Sequence, residues 1–166
     1  MGRYRPPAPR SSPYITRDGY AALQDELKGL WVRRRDVTKA LSAAAAEGDR
    51  SENAEYIYRK KELAGIDRRI RYLQKRLPDL KVVSEPPTDR DRVFFGASVT
   101  LEDENGDTVT YRIVGADEFS TGKGWISMDA PLARALLKRA LHEVIEVQLP
   151  EGTRQFCIVA VAYDYP

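Results

Sequence analysis

Two apolar stripes, mirrored about a short polar stretch, constrain this chain more than any other feature. Tyr20, Leu23, Leu27, Leu30, Val37, Leu41 and Ala44 recur at steps of three and four, with Arg34 the polar interruption. Beyond residues 49–51 the spacing resumes at Tyr56, Leu63, Ile66, Ile70, Leu73, Leu77 and Leu80, interrupted by Arg59. Such spacing puts one narrow seam on a helix, and a narrow seam has to be covered by another. If the chain reverses near 49–51, Ala44 faces Tyr56, Val37 faces Leu63, Leu30 faces Ile70, Leu27 faces Leu73 and Leu23 faces Leu77. The stripes are then in register as an antiparallel coiled-coil hairpin. About 30 residues per arm make a rod of roughly 45 Å. Thr16 suits the N-cap of the first helix, and Gly48 suits its end, where a left-handed residue is common.

The period changes beyond residue 92. In "FFGASVTLEDENGDTVTYRIVG", Val99 and Leu101, then Val109, Tyr111 and Ile113, alternate with polar residues, and Asn105-Gly106 between them signals a two-residue hairpin turn. Strand-like runs follow at Trp125 to Met128, Val144 to Leu149 and Gln155 to Tyr163. One short helix, "APLARALLKR", interrupts them, with Pro131 at its first position and Asp129 or Ala130 before it. The fold class is therefore α+β, a helical hairpin followed by a small sheet domain with one short helix. The expected division is a flexible Pro/Arg-rich tail over 1–13, the hairpin over 14–83, a linker over 84–92 in "SEPPTDRDR", and the sheet domain over 93–166.

Composition narrows the function classes. The first 80 residues carry 18 Lys and Arg against 11 Asp and Glu, a surplus of seven positive charges, while the remainder carries 9 against 14. A basic front half suits a polyanionic partner, or is simply a solvated helix surface. No apolar run approaches 18 residues and no charged-then-apolar leader opens the chain, so neither a membrane span nor a secretory signal is expected, and the cytoplasm is the expected location. The single cysteine, Cys157, cannot form an intramolecular disulfide and reads as a buried small hydrophobe. His142 has no metal-ligand neighbours in sequence.

Chemistry concentrates between the helices, in "GDRSENAEY". Asp49 and Glu52 fit a capping box, in which each side chain bonds the backbone N–H of the other and starts the second helix. The same two carboxylates at the end of a rod can also bind a hard cation such as Mg²⁺, which takes oxygen ligands and keeps part of its shell for water or phosphate. The residues alone leave both readings open.

The run from "AAAEGDRSENAEYIYRKKELAGIDRRIRYLQKRLPDLKVV" through "VFFGASV", "YRIVG" and "ISMDAPLARALLK" resembles the GreB branch of the bacterial Gre transcript-cleavage factors over residues 14–166. The resemblance implies an FKBP-like antiparallel C-terminal domain that docks at the rim of the RNA polymerase secondary channel, and a rod that passes down it. Asp49 and Glu52 then reach the active centre of a backtracked complex, help hold its second Mg²⁺ and stimulate cleavage of the nascent RNA. The factor would be no enzyme itself and would act as a monomer on the RNA 3′ end. Arg50, Ser51, Asn53 and Tyr56 belong to the same tip motif, although Asn53 and Tyr56 serve equally well as helix-start and seam residues. Arg33, Arg35 and Lys39, with Arg59, Lys60, Lys61, Arg68, Arg69 and Arg71, are the basic patch expected to meet extruded RNA. Ala130 stands where relatives often carry Ser, which puts that helix cap in doubt. A peptidyl-prolyl isomerase would need an aromatic-lined pocket, a polymerase inhibitor of this architecture a changed tip, and a coiled-coil adaptor no polymerase affinity.

Overall fold

The computed structural model describes Pro6, residues 8–48 and residues 53–165. The elements run β1 (Tyr14–Thr16), α1 (Arg17–Ala46), α2 (Ala54–Arg76), β2 (Lys81–Val83), β3 (Ala97–Glu102), β4 (Thr108–Val114), β5 (Trp125–Ser127), α3 (Pro131–Leu136), β6 (Val144–Leu149) and β7 (Gly152–Tyr163). They divide into a helical unit, Tyr20–Leu80, and a globular unit that ends at Gly19 and resumes at Lys81.

In the helical unit the mirrored stripes do what their spacing predicts. Val37, Ile66 and Ile70 are buried together, with Leu27, Leu30 and Leu63 packed around them. Arg34, the polar break in the first stripe, donates through Nε to Asp67 of the other arm at 2.7 Å. Arg33 Nε donates to Glu62 at 2.8 Å, and Arg69 reaches Glu26 through Nε and Nη2, each at 2.9 Å. The arms are unequal. Helix α1 has 30 residues and α2 only 23, and the N-cap of α2 is Asn53.

In the globular unit, Thr16 ends β1 and caps α1, its Oγ1 accepting from the Gly19 N–H at 3.1 Å. Strand β1 pairs in parallel with β2, so Tyr14–Thr16 and Lys81–Val83, expected in the hairpin, group with the globular unit. The end of the expected tail is also fastened. Ser12 N donates to Asp129 at 2.9 Å, and Pro13 O accepts from Lys81 N at 2.8 Å.

The main sheet has the order β5-β4-β3-β7-β6. It is mixed where an antiparallel sheet was expected, since β5 joins β4 in parallel. The β3–β4 connection is longer than the predicted two-residue turn. Asp103 N donates to Asp107 O, Gly106 N donates to Asp103 O, and only Gly106 has a positive φ, 82°. The Asp103 carboxylate, accepting from Asn105 N and Asp107 N, holds that wider loop.

Strand β7 spans two neighbours, and its register with β3 shifts between Thr100 and Leu101. That bulge turns the inward-facing parity from Phe156 and Ile158 to Val161 and Tyr163. Cys157, between two inward residues, therefore sits on the other face, partly exposed, and is not the buried hydrophobe expected. Helix α3 is shorter than "APLARALLKR" suggests. Its N-cap, Ala130, makes no side-chain cap bond, and beyond its end Lys138 takes φ 71°. Val93, Val99, Leu101, Ile113, Leu136 and Ile158 are among the fully buried residues of one core that joins sheet and helix.

Candidate functional site

The apex of the hairpin is organised by one side chain. Asn53 Oδ1 accepts from Tyr56 N at 3.1 Å, capping α2, while its Nδ2 donates to Ala44 O of α1 at 2.8 Å. Ala44 O also accepts from Glu47 N at 3.2 Å, so Asn53 caps the start of α2 and adds a second donor to a carbonyl in the last turn of α1. Helix α1 ends at Ala46, and Gly48 follows with φ 138°, a conformation that side chains resist. Asp49, Arg50, Ser51 and Glu52 lie outside the described residues. Their flanks are enough to overturn the capping box. Helix α2 begins at Ala54 with Asn53 as its cap, so neither Asp49 nor Glu52 starts it. Tyr56 is half-buried on the seam side and contributes its amide to the cap.

The nine basic residues singled out in the hairpin fall into two groups. Arg33, Arg59 and Arg69 are neutralised. Arg33 pairs with Glu62, Arg59 with Glu55 at 2.9 Å and Glu62 at 3.2 Å, and Arg69 with Glu26. Hydrogen bonding to Glu55 raises the Arg59 pKa above its ordinary value. Arg35, Lys39, Lys60, Lys61, Arg68 and Arg71 are exposed, and none has an ion pair among the described residues. On α2, Lys60, Lys61, Arg68 and Arg71 share the face turned away from Ile66, Ile70 and Leu73 at 3.6 residues per turn. Of the acids of α2, Glu55 and Glu62 fall off that outer face at the same periodicity, and Asp67, at its edge, is paired with Arg34 of α1, so the rest of the face carries one sign of charge.

The globular unit holds two clefts. One is lined by Thr16, Arg17, Asp18, Ser84, Arg112 and Tyr165, the other by Asp103, Glu104, Asn105, Thr153, Arg154 and Gln155. Neither has the aromatic lining that a prolyl isomerase requires.

One arrangement gave no signal in sequence. Glu118 accepts from Thr16 N and Gly115 N, each at 2.8 Å, and from the Thr16 hydroxyl. A Cβ at Gly19 would collide with that carboxylate, and one at Gly115 would meet Tyr14 O and Glu118. Glu118 is about a hundred residues from Thr16, and no local period can reveal such a pairing.

The comparisons agree over both units. The model described as "Transcription elongation factor, N-terminal" matches residues 13–82, and "Transcription elongation factor, GreA/GreB, C-term" matches residues 87–163. The chain is 58% identical over 165 residues to transcription elongation factor GreB of Xanthomonas axonopodis pv. citri, covering 98% of each. It is 54% identical over 164 residues to GreB of Pseudomonas aeruginosa, again 98% of each. With GreB of Haemophilus influenzae it shares 56% over 154 residues, 92% of this chain and 98% of that one. With both units matched and identity above half across nearly the whole length, the chain belongs to the GreA/GreB family of transcription elongation factors, in its GreB branch.

Proposed function

We propose that the globular unit docks at the rim of the RNA polymerase secondary channel and that the hairpin enters it, placing Asp49 and Glu52 at the active centre of a backtracked, arrested complex. There the factor stimulates endonucleolytic cleavage of the nascent RNA by the polymerase and so restores elongation. The observation that carries this reading is the capping of α2 by Asn53. The structural duty that would otherwise account for Asp49 and Glu52 is already filled, which leaves two carboxylates between the helix ends to be explained by chemistry.

The donor set fits Mg²⁺. An Asp and a Glu offer hard oxygens and neither nitrogen nor sulfur, and two carboxylates leave the rest of an octahedral shell to polymerase, water and phosphate. When bound there, a second ion neutralises charge developing on the scissile phosphate. Asp49 and Glu52 would hold it, and Asn53 keeps the loop ends together while they do. The outer cations of α2 and α1 suit the phosphates of the extruded strand.

The test is a stalled, backtracked elongation complex, to which the protein is added and from which shortened, extendable RNA is expected. Asp49→Asn and Glu52→Gln should each lower stimulated cleavage by about a hundredfold while competing for polymerase as the parent does. Unchanged cleavage by these variants at limiting Mg²⁺ would reject the assignment. Removing residues 31–37 together with residues 63–69 keeps the seam in register but shortens each arm by roughly 10 Å. That variant should bind polymerase and fail to stimulate cleavage.

A further inference from the structure

A second stripe with three-four spacing runs along α2, away from the seam: Tyr58, Lys61, Gly65, Arg68, Tyr72 and Lys75. Tyr58 is 61% exposed and Tyr72 41%. Each ring is backed by an arginine. The Arg59 guanidinium lies 5.5 Å from the Tyr58 centroid, and that of Arg69 lies 5.2 Å from the Tyr72 centroid. Those arginines are themselves held, Arg59 by Glu55 and Glu62, Arg69 by Glu26 of the other arm. A ring fixed in this way loses little further freedom when a second flat group stacks on it.

Gly65 adds an independent observation. A glycine inside a helix costs about 1 kcal/mol relative to alanine. Here a Cβ would meet only Arg68 Nη2, at 3.7 Å, so no packing demand accounts for the residue. Its effect is to leave the stripe bare midway between the two rings, which are 14 positions apart, roughly 21 Å along the axis. The stripe carries two aromatics and three cations and contains no acid. That combination matches single-stranded nucleic acid, whose bases stack on rings and whose phosphates meet cations without regard to sequence.

We propose that Tyr58 and Tyr72 are base-stacking platforms on a track for single-stranded RNA that runs along α2, with Lys61, Arg68 and Lys75 taking its phosphates. The proposal deepens the reading above, and rests on it for the identity of the strand as backtracked nascent RNA. The rings hold bases and the cations hold the backbone, so extruded RNA is retained along the rod while its scissile bond is presented at the apex.

The test uses the full chain and a short single-stranded RNA containing 2-aminopurine, whose fluorescence is quenched by stacking. Titration with the parent protein should quench it. Tyr58→Leu and Tyr72→Leu should each weaken binding about tenfold and remove part of the quench, while Tyr58→Phe and Tyr72→Phe retain both. Replacing Lys61, Arg68 and Lys75 by Gln should flatten the salt dependence of binding. No quench by the parent, or leucine variants that bind like it, would overturn the track. In backtracked complexes the leucine variants should slow cleavage after deep backtracking and leave competition for polymerase unchanged. Loss of competition without rescue by phenylalanine would mean that the rings touch the channel wall, and would also overturn it. A parent that leaves backtracked RNA uncut, yet quenches the free oligonucleotide through these tyrosines, would sink the cleavage reading and leave the track standing.

Discussion

The globular unit buries its apolar residues in one body, and the helical unit buries them in a strip. Val93, Ala97, Val99, Leu101, Ile113 and Leu136 are 0% exposed and share a core with Ile145, Val147, Phe156 and Ile158. Along the hairpin, Val37, Ile66 and Ile70 form one buried cluster flanked by partly buried leucines, Leu23, Ala44 and Leu73 are buried besides, and ion pairs join the arms. The difference teaches where stability and function reside. A two-helix hairpin leaves most side chains in solvent, so its surface carries charged and aromatic groups, while the sheet unit closes around a packed core.

The sharpest test of that contrast is a matched pair of truncations. Leu136→Ala, in the globular core, should lower stability by about 3 to 5 kcal/mol, the upper part of the range for a buried leucine. Ile70→Ala, in the hairpin, should fall nearer 2 kcal/mol, because the two arms can close over the gap. Thermal unfolding followed by circular dichroism measures both, and equal losses would break the comparison.

The apex comes next. Asn53→Ala removes a cap and a bond between the arms and should cost about 2 kcal/mol in hairpin stability. Asn53→Asp keeps the acceptor for Tyr56 N and loses the donor to Ala44 O, so it should recover about half. Full recovery would show that the link to Ala44 contributes nothing.

In the globular unit, Tyr163 accepts from Phe94 N at 2.8 Å and donates to Arg92 O, and burial is the main cause that raises its pKa above 10.0. A raised pKa means that the folded state holds the phenolic proton more tightly. The resulting stability is complete below about pH 10 and is lost as pH rises through the folded value. Tyr163→Phe should cost about 1 to 2 kcal/mol near neutrality and weaken that alkaline decline, which Tyr165, also raised chiefly by burial, would partly preserve.

The smallest effect belongs to the ion pairs across the hairpin. Glu26 and Arg69 keep 37% and 41% of their side-chain surface exposed. Glu26→Gln should therefore cost less than about 1 kcal/mol and almost nothing at high salt. A larger loss would mean that charge rather than apolar packing holds the arms.

Much of the candidate site was legible because its signals are local. The mirrored seam located the apex, and the unbroken basic spacing on α2 located its outer face. The partners of the basic residues were not legible. Whether Arg33 or Arg69 is a free cation depends on Glu62 and Glu26, which lie 29 and 43 positions away on the other arm. Tyr58 and Tyr72 fall off the seam by the same spacing, but the arginine that backs each ring was not legible.

By itself the sequence determined the two helices, their antiparallel register, the Thr16 cap and the change to strand period beyond residue 92. Each follows from spacings of two, three or four residues, and backbone geometry converts those directly into faces. Tertiary structure decided the rest. Asn53 became the cap of α2 because its amide also reaches a carbonyl on the other helix. Strand β1 left the hairpin because β2, more than sixty residues on, offered it a ladder. Strand β7 reversed its inward face at a bulge against β3, and Glu118 found Thr16 across about a hundred residues. These choices depend on which groups meet after the chain has folded back, and a periodicity carries no record of partners that distant.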